Sequence, residues 1–363
     1  MSQDPGPQSL PAKVLEYPAR DMTITVETDL TYGELQHILA GEGQQLPIDV
    51  ADDSIQLDQM IYSDLCGPRE FGCGTLRDYV IGVEAVDGHG RRFHGGGKVV
   101  KNVAGYDICR MLVGSEKKFG QLISTTLKVV PVSACSCLVC ASFASAAELE
   151  ATLSRLNTSQ TTPVLMDLLC TETRKSFHAV PGLADALGSD AHAATHPRIF
   201  LVLGFSGPER VCRWQAETAA AELRECGSAA VILPDQESLR LWCRTACKAA
   251  SGTPSENPDW LVELRILPSM IATVTFQLLE CDCKIYGRAG NGRLWVQPIT
   301  DSTASTRTQA LTLMQAAAAS CNGSLKLILG NADLPQMLPD SVQQIVSQLQ
   351  TVLGSSTMPN PNS

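Results

Sequence analysis

From Cys135 onward one order of elements occurs twice, and this restricts the architecture more than any other feature of the chain. LVCASF, PVLMDLLC, RIFLVLGF and AAVILP are short apolar runs of strand length. SAAELEATLSRL lies between the first two, and PERVCRWQAETAAAELRE between the last two, both with helical spacing. The order β-α-β-β-α-β then recurs. WLVELRI, CKIYG, RLWVQP and LKLIL read as strands, with a Gly-Asn-Gly turn between the middle pair. PSMIATVTFQLLE and the segment from Ser305 to Ser320 read as helices, the latter with Leu311, Met314 and Ala318 on one face. Each half has the split-βαβ, ferredoxin-like pattern. The halves share no obvious sequence, so what repeats is the architecture. Two such units are expected to form one α+β domain, with antiparallel sheet and helices on one side.

The preceding stretch is of another kind. MTITVE alternates apolar and polar residues, as a half-buried strand does. Thr31 with Glu34 forms a capping-box pattern ahead of an apolar stripe of Leu35, Ile38 and Leu39. DYVIGVEAVDGHGRRFHGGG reads as a hairpin turning at Asp87-Gly88 to Gly90, and QLISTTLKVVPV as a further β-rich segment closed by Pro131. The organisation expected is a leader over 1–21, a Gly-rich β-type domain over 22–134, the α+β domain over 135–335, and a C-terminal helix and tail over 336–363.

Composition limits the partners. The 363 residues carry a formal net charge of −10, which argues against nucleic acid as the main partner, because phosphate binding needs a Lys/Arg surface. No apolar run reaches the length of a membrane span. The polar start, Met1 to Pro11, has neither the basic end nor the apolar stretch of a signal peptide, so the cytoplasm is the expected compartment. There are fourteen cysteines. Cys137 and Cys140 form a C-x-x-C pair, but within an apolar strand and without a matching pair at zinc spacing. Buried reduced thiols are the expectation, with iron–sulfur ligation as the alternative.

The middle of the first domain carries a resemblance. EYPARDMTITVE, GQQLPIDV, GPREFGCGTLRDYVIGVEAVDGHGRRFHGGGKVVKNVAGYDICRMLVGS and FGQLISTTLKVVP follow one another in order. This resembles the FAD-binding subunit of glycolate oxidase, in the flavoprotein group with the PCMH, or vanillyl-alcohol-oxidase, type of FAD domain. It is dense from Glu16 to Pro131; beyond that it rests on the two-unit layout, on GNGRLWV and on the helical tail. The resemblance implies a partial PCMH-type domain followed by two ferredoxin-like units. It implies FAD as cofactor and a small 2-hydroxy acid such as glycolate as substrate. It also implies a complex with a second flavoprotein subunit and an iron–sulfur subunit. Carried over by position, the flavin contacts would be Gly67, Pro68, Gly72, Gly74, Gly114, Ser115, Gly120 and Leu122. In such a groove backbone N–H groups cradle the diphosphate, and glycine allows close approach or positive φ. The other reading of Gly67-Pro68 and Gly72-x-Gly74 is loop punctuation. His94 to Lys98, HGGGK, is read as structural, not as a phosphate loop, and Lys98 and Lys101 as solvated or paired.

Three departures from the family pattern concern the same cofactor. Little precedes EYPARD, so the family's first diphosphate loop is expected to be missing, or the start site misplaced. Asp58-Gln59 stands where the family has Gly-Gly. A carboxylate near a diphosphate is repelled by about 4 kcal/mol at 4 Å for an effective dielectric near 20. Glu116-Lys117-Lys118-Phe119 replaces a stretch where the family keeps a glycine. These losses open the alternative of a non-catalytic, flavin-poor structural subunit. No catalytic residue can be named and no metal is expected. His192 and His196 are spaced i, i+4 but lie in a loop-like stretch ending in proline. GNGR (Gly290 to Arg293) lies where larger relatives place a histidine-containing substrate motif, and Arg288 precedes it. Arg288 and Arg293 read either as carboxylate ligands or as surface arginines of a hairpin turn.

Overall fold

A computed structural model of the chain describes residues 11–97, 107–183, 199–252, 259–299, 302–330 and 340–353. The first part is built on a five-stranded antiparallel sheet in the order β1-β2-β6-β4-β5. Its strands are β1 (Val14–Glu16), β2 (Thr23–Glu27), β4 (Val80–Val86), β5 (Arg92–Gly96) and β6 (Gln121–Lys128). Helix α1 (Tyr32–Ala40) starts at the expected capping box: the Thr31 side chain accepts from the Glu34 N–H, and the Glu34 carboxylate accepts from the Thr31 N–H at 2.9 Å. Leu35 and Leu39 put its apolar stripe into the core, with Ile38 packed at its edge. Helices α2 (Leu57–Ser63), α3 (Glu70–Cys73) and α4 (Ile108–Leu112) follow. A two-stranded pair, β3 (Gln44–Gln45) with β7 (Val130–Pro131), closes this part.

The second part is one eight-stranded antiparallel sheet in the order β11-β8-β10-β9-β13-β14-β12-β15. Its first unit holds β8 (Cys135–Phe143), α5 (Ala146–Leu156), β9 (Leu165–Cys170), α6 (Thr171–Arg174), β10 (Ile199–Gly207), α7 (Glu209–Glu225) and β11 (Ala230–Leu233). After helix α8 (Gln236–Ser251) the second unit holds β12 (Trp260–Arg265), α9 (Ile271–Leu279), β13 (Cys283–Arg288), β14 (Arg293–Pro298), α10 (Ala304–Ser320) and β15 (Ser324–Gly330). Each unit has the 4-1-3-2 strand order of a ferredoxin-like fold. They join edge to edge where β9 pairs with β13, Tyr286 opposite Leu169 and Arg288 opposite Asp167. The sheet alternation sends one set of side chains to each face. Helices α5, α7, α9 and α10 cover one face over Val139, Leu168, Leu201, Ile285 and Val296.

The expectation of helices on one side holds for those four and fails for α8. Leu239, Trp242, Cys243 and Ala246 recur at i, i+3, i+4, i+7 and pack on the opposite face, over Leu138, Leu165 and Phe200. That face therefore has its own apolar cover. The C-terminal helix α11 (Asp340–Leu353) returns to the first part: Leu349 and Leu353 pack on its core, and the Gly88 N–H donates to the Leu353 carbonyl at 2.9 Å. Among the described residues no helix is long and apolar enough to cross a membrane.

Candidate cofactor site and the polar cluster beside it

The eight residues carried over as flavin contacts fall into two groups. Gly114, Ser115, Gly120 and Leu122 gather around Tyr62, the penultimate residue of α2. The Tyr62 hydroxyl donates to the Gly120 carbonyl at 3.0 Å and accepts from the Leu122 N–H at 2.6 Å. The Gly114 N–H donates to the Ile61 carbonyl and the Ser115 N–H to that of Leu112. Gly114 has φ +79°, and a Cβ there would meet Arg77 Nη2 and Asp64 Cβ at 3.3 Å. Arg77 itself pairs with Asp64 and donates to the Val113 carbonyl. Gly74 has its N–H on the Glu70 carbonyl, and a Cβ there would meet the Asp78 carboxylate at 2.8 Å.

The second group faces the eight-stranded sheet. Gly67 and Pro68 are buried, and a Cβ on Gly67 would overlap Asp49. Asp49 holds Arg69 through Nε at 2.8 Å and Nη2 at 2.7 Å. Gly72 donates its N–H to the Val164 carbonyl at 3.0 Å, and a Cβ there would lie 2.6 Å from Val164 Cα. Gly72 is thus the point where α3 meets the start of β9.

A buried polar cluster lies alongside. Arg288, expected either on the surface or bound to a substrate carboxylate, is 1% exposed and bonded within the chain. Its Nη1 meets Glu70 Oε2 at 2.9 Å, its Nη2 donates to the Cys66 carbonyl at 2.9 Å, and its guanidinium lies 4.7 Å from the Trp295 ring centre. Arg293 is mostly buried too. It reaches Glu70 Oε2 and Glu263 Oε1, each at 2.8 Å. Both surface-turn and substrate readings omit Glu70, which lies more than two hundred residues away and supplies the missing carboxylate from the first part. Burial works to raise the Glu263 carboxyl, but Arg293 and Arg265 beside it hold it below its ordinary value. Farther along this face Asp167 accepts from Trp242 Nε1 at 2.7 Å and from the Tyr286 hydroxyl at 3.0 Å. Burial pushes the Asp167 carboxyl up to about 7, against the opposing pull of Arg288 and these two donors.

The remaining candidates resolve by geometry. Cys137 belongs to the helix-covered face of β8 and Cys140 to the other, so the C-x-x-C pair cannot close on one ion. Cys137 Sγ instead lies 3.5 Å from Cys212 Sγ. Among the described residues no group of three or more His, Cys, Asp or Glu is placed to hold a metal. His192, His196, Lys98, Lys101 and most of KNVAGYD lie outside the described residues. A cleft of about 680 Å³ between the two parts is lined by Tyr32, Asp49 and Arg69 on one side and by Glu237, Arg240 and Arg244 on the other. None of the eight carried-over residues lines it.

No family model matches the chain. Over 120 residues it is 32% identical to the glycolate oxidase subunit GlcE of Escherichia coli, covering 32% of this chain and 34% of that protein. Over 120 residues it is 33% identical to the glycolate oxidase subunit GlcD of Bacillus subtilis, covering 33% and 26%. Among solved structures it superposes on alkyldihydroxyacetonephosphate synthase with a TM-score of 0.68 at 15% identity, covering 94% of this chain and 64% of that one. The chain is similar in sequence to these glycolate oxidase subunits over about a third of its length, and it shares the fold of alkyldihydroxyacetonephosphate synthase. The matches to the two curated relatives span between 26% and 34% of their length.

Five of the carried-over residues do not fit a diphosphate cradle. Such a cradle requires N–H groups left free by the protein. Here those of Gly72, Gly74, Gly114, Ser115 and Leu122 already have acceptors within the chain. The residues that replace family glycines meet each other: Lys117 Nζ lies 3.4 Å from Asp58 Oδ2 and 5.1 Å from the Tyr62 ring centre. Glu116 (φ +52°) and Lys117 (φ +63°) keep the left-handed backbone that glycine would take without penalty. The Ser115 hydroxyl is buried and makes no hydrogen bond, as is the case for Asp58 Oδ1 and Asp64 Oδ1 nearby.

Proposed function

We propose that the chain is a non-catalytic subunit of a cytoplasmic 2-hydroxy-acid oxidoreductase of the glycolate or D-lactate type. It keeps the flavoprotein fold, holds no FAD of its own, and docks to flavoprotein and iron–sulfur subunits. The observation that carries this reading is the Asp58–Lys117 ion pair, which joins the two departures from the family pattern and stands beside amides already bonded within the chain. A cofactor diphosphate at that place would have to displace a cation already matched to a carboxylate, and it would meet the carboxylate itself. The relatives named as glycolate oxidase subunits support the assignment to such a complex. The D-lactate dehydrogenase of Archaeoglobus fulgidus, 30% identical over 117 residues, supports the substrate class. The described free thiols, many of them buried, suit a reducing compartment.

The test is the visible spectrum of the purified, folded protein, followed by titration with FAD. A colourless protein whose added FAD stays in the free form is the expected result. Flavin bands at one per chain would reject the reading. The unpartnered Ser115 hydroxyl favours a second reading, a FAD-binding subunit of the same enzyme. It predicts those bands, and it predicts that Ser115→Ala weakens FAD binding.

A further inference from the structure

The start of β8 and the first turn of α7 bring three thiols together. Cys135 and Cys137 are two residues apart on β8, so their side chains leave the same face of the sheet. That is the face α7 covers, and Cys212 comes from its first turn, with its N–H on the Pro208 carbonyl. The register sets these segments side by side: Cys135 stands opposite Gly207 at the end of β10, and Pro208 then leads into α7. Cys137 Sγ and Cys212 Sγ are in contact at 3.5 Å.

The three thiols differ in access. Cys137 and Cys212 are buried, whereas Cys135 is half-buried and packs at the edge of the same cluster. Burial raises the thiol pKa of both Cys137 and Cys212, so an oxidant from solvent meets Cys135 first. The buried pair is held where two sulfurs need only small side-chain movements to bond. A disulfide there would fasten the start of β8 to α7. In a compartment that keeps thiols reduced, such a bond is transient and serves as a sensor.

We propose that these cysteines form a redox site, in which a hydroperoxide reacts at Cys135 and the Cys137–Cys212 pair ends as a disulfide. The Cys135 sulfur attacks the peroxide, the O–O bond breaks, and a sulfenic acid and one water form. The Cys212 sulfur then displaces that hydroxyl as a second water, forming an S–S bond. The Cys137 sulfur attacks Cys212 in turn and releases Cys135, which takes up the Cys137 proton. In sum, two thiols and one peroxide give one disulfide and two waters. The site lies within the first ferredoxin-like unit, and its chemistry is the same whether or not the chain binds flavin.

Peptide mapping by mass spectrometry tests it, on the full reduced chain treated with hydrogen peroxide, quenched in acid and alkylated. The expected product joins the tryptic peptides Val129–Arg155 and Val211–Arg213, with fragmentation placing the bond at Cys137, and dithiothreitol reverses it. In Cys212→Ala, Cys137 should stay alkylatable. In Cys135→Ala the same bond should form about tenfold more slowly. Circular dichroism checks that both variants are folded. A Cys212 thiol left free after oxidation of the folded chain, or an equal yield of the cross-link in urea, would overturn the proposal. An unchanged rate in Cys135→Ala would overturn the entry role of Cys135.

Discussion

At Glu116 and Lys117 two non-glycine residues occupy the left-handed region in succession, a conformation that costs about 1–2 kcal/mol per residue for a side chain bearing a Cβ. Glu116 is exposed and its pair with Lys118 is a surface contact, so little is lost by removing its side chain. Glu116→Gly is therefore expected to raise the stability by up to about 1 kcal/mol, the relief being partly offset by the greater entropy of glycine in the unfolded chain. Urea denaturation reads this as a higher midpoint at unchanged slope. A destabilised variant would mean that the Glu116 side chain matters more than its backbone. Asp58-Gln59 and the Glu116–Phe119 stretch stand out in the sequence as departures, but their meeting is not legible there, because Asp58 and Lys117 lie 59 positions apart.

Among the elements, α8 shows how a clear pattern goes unassigned. Leu239, Trp242, Cys243 and Ala246 have helical spacing, but the doubled β-α-β-β-α-β order is complete without them. The helix is fastened to the sheet by Trp242, whose Nε1 donates to the buried Asp167. Asp167 gives this attachment a pH dependence. Its folded-state pKa of about 7 lies above the value of an unfolded aspartate, so the folded protein retains a proton that the unfolded chain releases. The contribution to stability is complete below about pH 4 and declines as pH rises toward 7, by up to roughly 4 kcal/mol for a three-unit shift. Asp167→Asn keeps an oxygen to accept from Trp242 and Tyr286 and removes the titration. Stability measured from pH 4 to 7 should fall less steeply in the variant; an unchanged slope would show that Asp167 is ionised throughout.

For the molecule as a whole, Glu70 is the point at which the two parts hold each other. It receives Arg288 and Arg293 from the second ferredoxin-like unit, and Arg288 also donates to the Cys66 carbonyl. Removing one partner of a buried pair leaves the other uncompensated, a loss of about 3–5 kcal/mol. Arg288→Ala should destabilise by about 3 kcal/mol, since Arg293 still reaches Glu70, and should separate the unfolding of the two parts in calorimetry. A single transition with unchanged midpoint would refute the coupling. Gly72→Ala tests the same junction from the other side. A methyl there would press on the Val164 backbone, with an expected cost of about 1–3 kcal/mol.

The sequence by itself determined the local structure: the capping box at Thr31, the hairpin turning at Asp87, and the four strands and two covering helices of each ferredoxin-like unit. These depend on side-chain periodicity and turn chemistry over a few residues, which a single chain displays directly. The tertiary structure alone decided which partners the polar residues find. Arg288 looked like a residue of an exposed turn because the GNGR segment around it is polar and glycine-rich, and only the packing of the two parts brings Glu70 to it. The same holds for the glycines. Their spacing records a backbone path, but whether a ligand or the protein itself fills the adjoining space depends on contacts such as Gly67 with Asp49 and Gly72 with Val164, made between segments far apart in the chain.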